Sequence, residues 1–211
     1  MEFYDRITAF HLDILREIGN IGAGNAATAL SKLLNKKIDM KVPDVSLVSF
    51  DEMMDMAGGA ENVVVSIFFR LEGEVPGSMF FLLPLEQADR FIYQLTGEEG
   101  AAPVRYSEIA ESALRELGNI MAGSYLSALS DFTSLCLYPS VPYMSIDMAG
   151  AVISPGLIET SQVSDFAIVI NTELVEDEMT PGTRINGCFF LVPDPGSFQA
   201  IFHSLGVYQS E

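Results

Sequence analysis

Glu17 and Asn20 stand three positions apart in a largely apolar stretch, and Glu116 and Asn119 repeat them ninety-nine positions later. A carboxamide both donates and accepts hydrogen bonds, so it can hold a water in line with a phosphoryl group, while a carboxylate can pair with a partner lysine. Such a pair could assist a reaction whose electrophile and metal another molecule brings. The surroundings repeat too. Leu15-Arg16-Glu17-Ile18-Gly19-Asn20-Ile21-Gly22-Ala23-Gly24 returns as Leu114-Arg115-Glu116-Leu117-Gly118-Asn119-Ile120-Met121-Ala122-Gly123, and from Leu15 to Ser31 eleven of seventeen positions are identical. Self-similarity of this kind predicts two similar halves.

The element that must present these residues is a long helix. Leu12, Leu15, Ile18, Ile21, Ala26, Leu30 and Leu33 recur at steps of three and four with a single step of five, the spacing of an amphipathic helix. At roughly 100° per residue, Asp13, Glu17, Asn20 and Gly24 fall within about 60° of one another, and Ser112, Glu116, Asn119 and Gly123 do likewise. A polar stripe on such a helix is ordinarily its wet face. Two features argue for more: the same Glu and Asn stand in both copies while the wet faces elsewhere diverge, and Asn competes with the backbone and is a mediocre helix former. Gly19, Gly22 and Gly24 would each cost about 1 kcal/mol relative to Ala in a helix interior, which calls for close approach of another backbone, from within the protein or from a partner.

Other chemistry is missing. His11 and His203 are far apart in sequence and read as surface or partly buried side chains; Gly-Ala-Gly-Asn lacks the third glycine and strand context of a dinucleotide loop; neither GxxxxGK[ST] nor GxSxG occurs, and no Arg follows Cys136 to cradle a phosphate. The acidic run Glu173, Glu176, Asp177 and Glu178 reads as a solvated hairpin tip, not a metal site. Cys136 and Cys188 are expected to be buried reduced thiols. A formal charge of −18 argues against nucleic acid and against anionic membrane surfaces. With no signal-like start and no run of eighteen apolar residues, a cytoplasmic protein without membrane insertion is expected.

The expected fold is α/β (α+β). Strands are predicted near 63–71 and 78–83, flanking Gly73 and Gly77, followed by a helix over about 85–96 that Gly97 stops; an extended piece over 37–49 and a short helix over 51–56 precede them. After a link at about 98–107 the order repeats: a helix over 107–131, an extended piece through 139–143, strands at 166–174 and 184–192, and a last helix over 197–205. Phe81-Leu82-Leu83-Pro84 aligns with Phe190-Leu191-Val192-Pro193. One domain over 1–211 is therefore expected, made of two homologous halves, about 1–98 and 107–211, with antiparallel strands within each half.

The pattern [DS]-x-x-x-E-x-x-N-x-x-x-G, present twice, closely resembles the CheC/CheX/FliY family of bacterial chemotaxis phosphatases, and the resemblance covers essentially the whole chain. It implies a pseudo-two-fold fold in which both halves contribute to a shared sheet with the motif helices outside it. It further implies a phosphatase acting on the aspartyl-phosphate of the response regulator CheY. Glu17, Asn20, Glu116 and Asn119 would be the catalytic residues, with Asn orienting the attacking water and Glu engaging the regulator's lysine. Asp13, Gly24, Ser112 and Gly123 would support them. No metal or cofactor of the chain's own is implied, since Mg²⁺ is held by the regulator. The receptor deamidase CheD is the second partner implied, through a region that matches Ile146-Asp147-Met148. The alternative is a non-catalytic binding or flagellar-switch module of the same fold, like FliY or FliM; two complete motifs, and a chain that starts and ends close to its outer helices, favour a stand-alone chemotaxis protein.

Overall fold

The computed structural model describes residues 7–97, 106–160, 166–175, 184–194 and 196–206. In chain order the elements are α1 (Ala9–Leu34), β1 (Asp39–Lys41), β2 (Val45–Ser49), α2 (Phe50–Met56), β3 (Val63–Gly73), β4 (Gly77–Pro84) and α3 (Leu85–Thr96) in the first half. The second half gives α4 (Glu108–Thr133), β5 (Leu137–Pro139), β6 (Tyr143–Met148), α5 (Ala149–Thr160), β7 (Phe166–Val175), β8 (Arg184–Pro193) and α6 (Ser197–Ser204). The predicted link at 98–107 and the acidic tip at 176–178 fall, apart from Tyr106 and Ser107, outside the described residues.

All strands pair antiparallel in one sheet of order β1-β7-β8-β4-β3-β5, with β2 also on β7 and β6 also on β3. The pairing exchanges between halves: β1 and β2 of the first sit on β7 of the second, and β5 and β6 sit on β3. In the central β4–β8 pair, Phe80 faces Phe190 and Phe81 faces Phe189. Phe81 and Phe189 lie on the same face of the sheet and stack with ring centroids 4.4 Å apart, so a pseudo-two-fold passes through this pair. Val45 opposite Ile170, and Met144 opposite Ile67, are equivalent.

Period-two alternation along β4 sends Met79, Phe81 and Leu83 to one face and Phe80 and Leu82 to the other. The first face packs under α1, α4, α3 and α6, through Leu15, Ile18, Leu114, Leu117, Phe91 and Phe198 among others. The second packs against Met53 and Ala57 of α2 and its turn, and Ala149 and Ile153 of α5. Phe69, Phe91, Phe189 and Phe190 are fully buried, each stabilising the fold by about 1.5–3 kcal/mol through apolar area removed from water. The mixed α/β architecture, the shared antiparallel sheet and the motif helices outside it agree with the expectation.

Two expectations need correction. A helix, α5, stands where the sequence suggests none, because Gly150, Pro155 and Gly156 disguise it as a loop; the repeat sets it where α2 stands in the first half. Cys136 is exposed, not buried. It follows α4 in a bend where its N–H donates to Glu74 Oε2 at 2.7 Å and its carbonyl accepts the Glu74 N–H at 3.0 Å. Cys188 is partly buried, and burial pushes its thiol pKa up.

Candidate functional site

The buried face of α1 is Leu15, Ile18, Gly19, Gly22, Ala23, Ala26 and Leu30, which leaves Asp13, Glu17, Asn20 and Gly24 exposed. On α4, Leu114, Leu117, Met121 and Leu129 are buried, while Ser112, Glu116 and Asn119 are exposed and Gly123 is partly so. Burial of the apolar faces thus turns one stripe per helix outward, as the sequence predicts. The stripes remain separate sites, with no hydrogen bond or ion pair joining them among the described residues.

Glu17 and Glu116 make no ion pair among the described residues, so each carboxylate stands open to a cation from outside. Asp13 does pair with Arg16, at 3.1 Å, an exposed i,i+3 contact worth little to stability. Ser112 and Glu116 border a groove of about 640 Å³ whose other walls include Leu33, Leu95 and Ile109. The carboxamides differ. Asn20 Oδ1 accepts the backbone N–H of Val42 at 3.0 Å, whereas Asn119 makes no hydrogen bond among the described residues. Sequence reasoning missed Val42, since a backbone donor leaves no side-chain signature; the only hint was that Pro43 and Pro142 follow the two asparagines at the same distance.

The helix glycines divide into two kinds. A Cβ on Gly22 would stand 2.7 Å from Tyr125 Cδ1 and 2.9 Å from Tyr125 Cα, so Gly22 is where α4 crosses α1. Gly118 likewise meets Ile67 and Phe69 of β3. Gly24 and Gly123, the glycines that end the stripes, would meet nothing within 4 Å. No packing among the described residues accounts for them.

The remaining groups stay apart from the stripes. Asp147 is exposed on β6, with Oδ1 accepting the Met148 N–H at 2.8 Å. His11 is partly buried; its Nδ1 accepts the Thr8 N–H at 3.1 Å and its ring lies 5.3 Å from that of Phe202. Among the described residues no three His, Cys, Asp or Glu side chains could hold a metal ion together, and no helix is long and apolar enough to cross a membrane.

The pseudo-two-fold sheet and the paired outward stripes define a mixed α/β protein with two equivalent exposed helix faces. The chain belongs to the CheC-like family, whose model matches residues 10–47 and 109–146, the stretches that hold the two motif helices and the strands after them. It is 49% identical over 208 residues, 98% of this chain and 99% of the relative, to the CheY-P phosphatase CheC of Bacillus subtilis (strain 168). Among solved structures, Thermotoga maritima FliY matches 97% of this chain and 100% of its own at a TM-score of 0.70 and 23% identity. CheX in a CheX–CheY–BeF3–Mg complex from Borrelia burgdorferi covers 82% of this chain and 96% of its own, at a TM-score of 0.50 and 18% identity. These likenesses carry the fold.

Proposed function

We propose that this protein hydrolyses the aspartyl-phosphate of the response regulator CheY, using Glu17 with Asn20 and Glu116 with Asn119. The observation that carries this reading is the pair of outward stripes, each with a carboxylate that has no ion pair among the described residues, a carboxamide one helical turn on, and a glycine whose Cβ position is open. The near full-length similarity to a CheY-P phosphatase supports the same substrate.

The regulator supplies the electrophile, a lysine and the Mg²⁺. On docking, Glu17 or Glu116 pairs with that lysine, and the open surface at Gly24 or Gly123 lets the regulator's backbone approach the helix. The asparagine carboxamide holds a water in line with the acyl-phosphate bond. Water oxygen bonds to phosphorus, the bond from phosphorus to the aspartyl oxygen breaks, and the water's proton passes to the phosphate, leaving the regulator's free carboxylate. The helix residues contribute position and orientation. CheD is the second partner under this proposal, docking where Asp147 stands exposed at the end of β6.

Phosphate release from phosphorylated CheY tests the reading. The quadruple change Glu17→Ala, Asn20→Ala, Glu116→Ala and Asn119→Ala is expected to return the regulator's decay to its unassisted rate; wild-type release from that variant would sink the proposal. Capture of a flagellar motor partner alone, with neither CheD nor phosphorylated CheY retained, would favour the non-catalytic switch module instead.

A further inference from the structure

Asn20 and Asn119 are equivalent in the repeat but not in their surroundings. Val42 is 2% exposed and lies against Gly19, whose missing side chain lets the valine methyls come within 3.4 Å of where a Cβ would be. That placement brings the Val42 N–H to Asn20 Oδ1. Val141, the repeat equivalent of Val42, is 87% exposed. The strands before them pair alike, Lys41 with Glu173 of β7 and Ser140 with Arg70 of β3, but Ser140 Oγ also accepts the Arg70 N–H at 3.0 Å, and the next residue, Val141, stands out in solvent. Gly118, equivalent to Gly19, is filled from below by Ile67 and Phe69. No backbone donor therefore reaches Asn119 among the described residues.

We infer that the Val42 N–H latches Asn20 onto the protein's own surface, so that the second stripe, Ser112 to Gly123, carries most of the turnover while the first works only when Asn20 is released. The inference rests on the phosphatase reading above. To reach a water beside a docked phosphoryl group the carboxamide must extend from its helix. Asn119 can do so freely. Asn20 must first give up an intramolecular hydrogen bond and leave the Val42 N–H without its acceptor, a cost that lowers the competent population roughly fivefold. Val42 is thus a positioning residue acting through Asn20.

Phosphate release from phosphorylated CheY, followed for Asn20→Ala, Asn119→Ala and the double variant, separates the sites. Asn119→Ala is expected to slow release roughly fivefold and Asn20→Ala by less than twofold. Amide hydrogen exchange provides an activity-independent reading: the Val42 N–H should exchange slowly in the wild type and markedly faster in Asn20→Ala. Equal losses in the two single variants, a larger loss in Asn20→Ala, or a Val42 amide indifferent to Asn20→Ala would each overturn the latch and leave the phosphatase reading standing. Wild-type release from the double variant overturns the phosphatase reading, and the latch with it.

Discussion

Asparagine in mid-helix forgoes helix propensity, and at Asn20 and Asn119 the return for that cost lies outside the helix. One carboxamide binds the backbone of a neighbouring loop and the other faces solvent. Both carboxylates likewise await a cation that the described residues do not supply. Tyr125 shows the opposite use of a polar group. Its hydroxyl shares a hydrogen bond of 2.9 Å with Thr172 Oγ1 beneath α4, and burial pushes its pKa up from 10.0 to about 12. An acid whose folded pKa is raised stabilises the fold fully below its unfolded pKa and loses that contribution as pH rises through the folded value. Tyr125→Phe should therefore cost roughly 1 kcal/mol near neutral pH, and the gap from wild type should narrow between pH 10.0 and about 12. Denaturant titrations across that range check it; a gap that stays constant would contradict it.

At the scale of the element, the glycines of α1 separate packing from docking. Gly22→Ala drives a methyl into Tyr125, whose backbone cannot yield without shifting α4, so stability should fall by roughly 1–3 kcal/mol. Gly24→Ala meets open space, and the helix should gain about 0.5–1 kcal/mol. If Gly24 is kept for a partner's approach, that more stable variant should release phosphate from CheY more slowly. Thermal melts paired with phosphate-release rates test the contrast, and a Gly24→Ala protein both more stable and fully active would leave Gly24 without a docking role. Periodicity made α1, α4 and their stripes legible, because burial of Leu15, Ile18, Leu114 and Leu117 leaves the polar residues only one place to go. It could not tell Gly22 from Gly24, since the two differ in what lies opposite, and that depends on how the helices cross. Gly150, Pro155 and Gly156 hid α5, where tertiary context overrides local propensity.

For the whole molecule, the repeat predicted two halves but not their exchange of strands. Nothing in Asp39–Lys41 or Val45–Ser49 says that these strands belong on β7, because a strand's alternation fixes which side chains face the core and not which neighbour it takes. Within that symmetric exchange Val42 lies against α1 and gives its N–H to Asn20 while Val141 is exposed, so a near-symmetric chain leaves its two carboxamides in unequal surroundings. The charge of −18 is carried by the same molecule whose stripes each show a glutamate without an ion pair among the described residues, and under the proposed function that charge favours a partner that brings a cation to the helix face. Under the proposed function the asparagines assist water attack and do not hold the partner. Its most direct test is the double variant Asn20→Ala, Asn119→Ala, measured both for phosphate release from phosphorylated CheY and for affinity toward CheY carrying beryllofluoride and Mg²⁺. Release is expected to be slower by on the order of 100-fold, with affinity within about threefold of wild type. Release and affinity falling together by the same factor, or release unchanged, would contradict it.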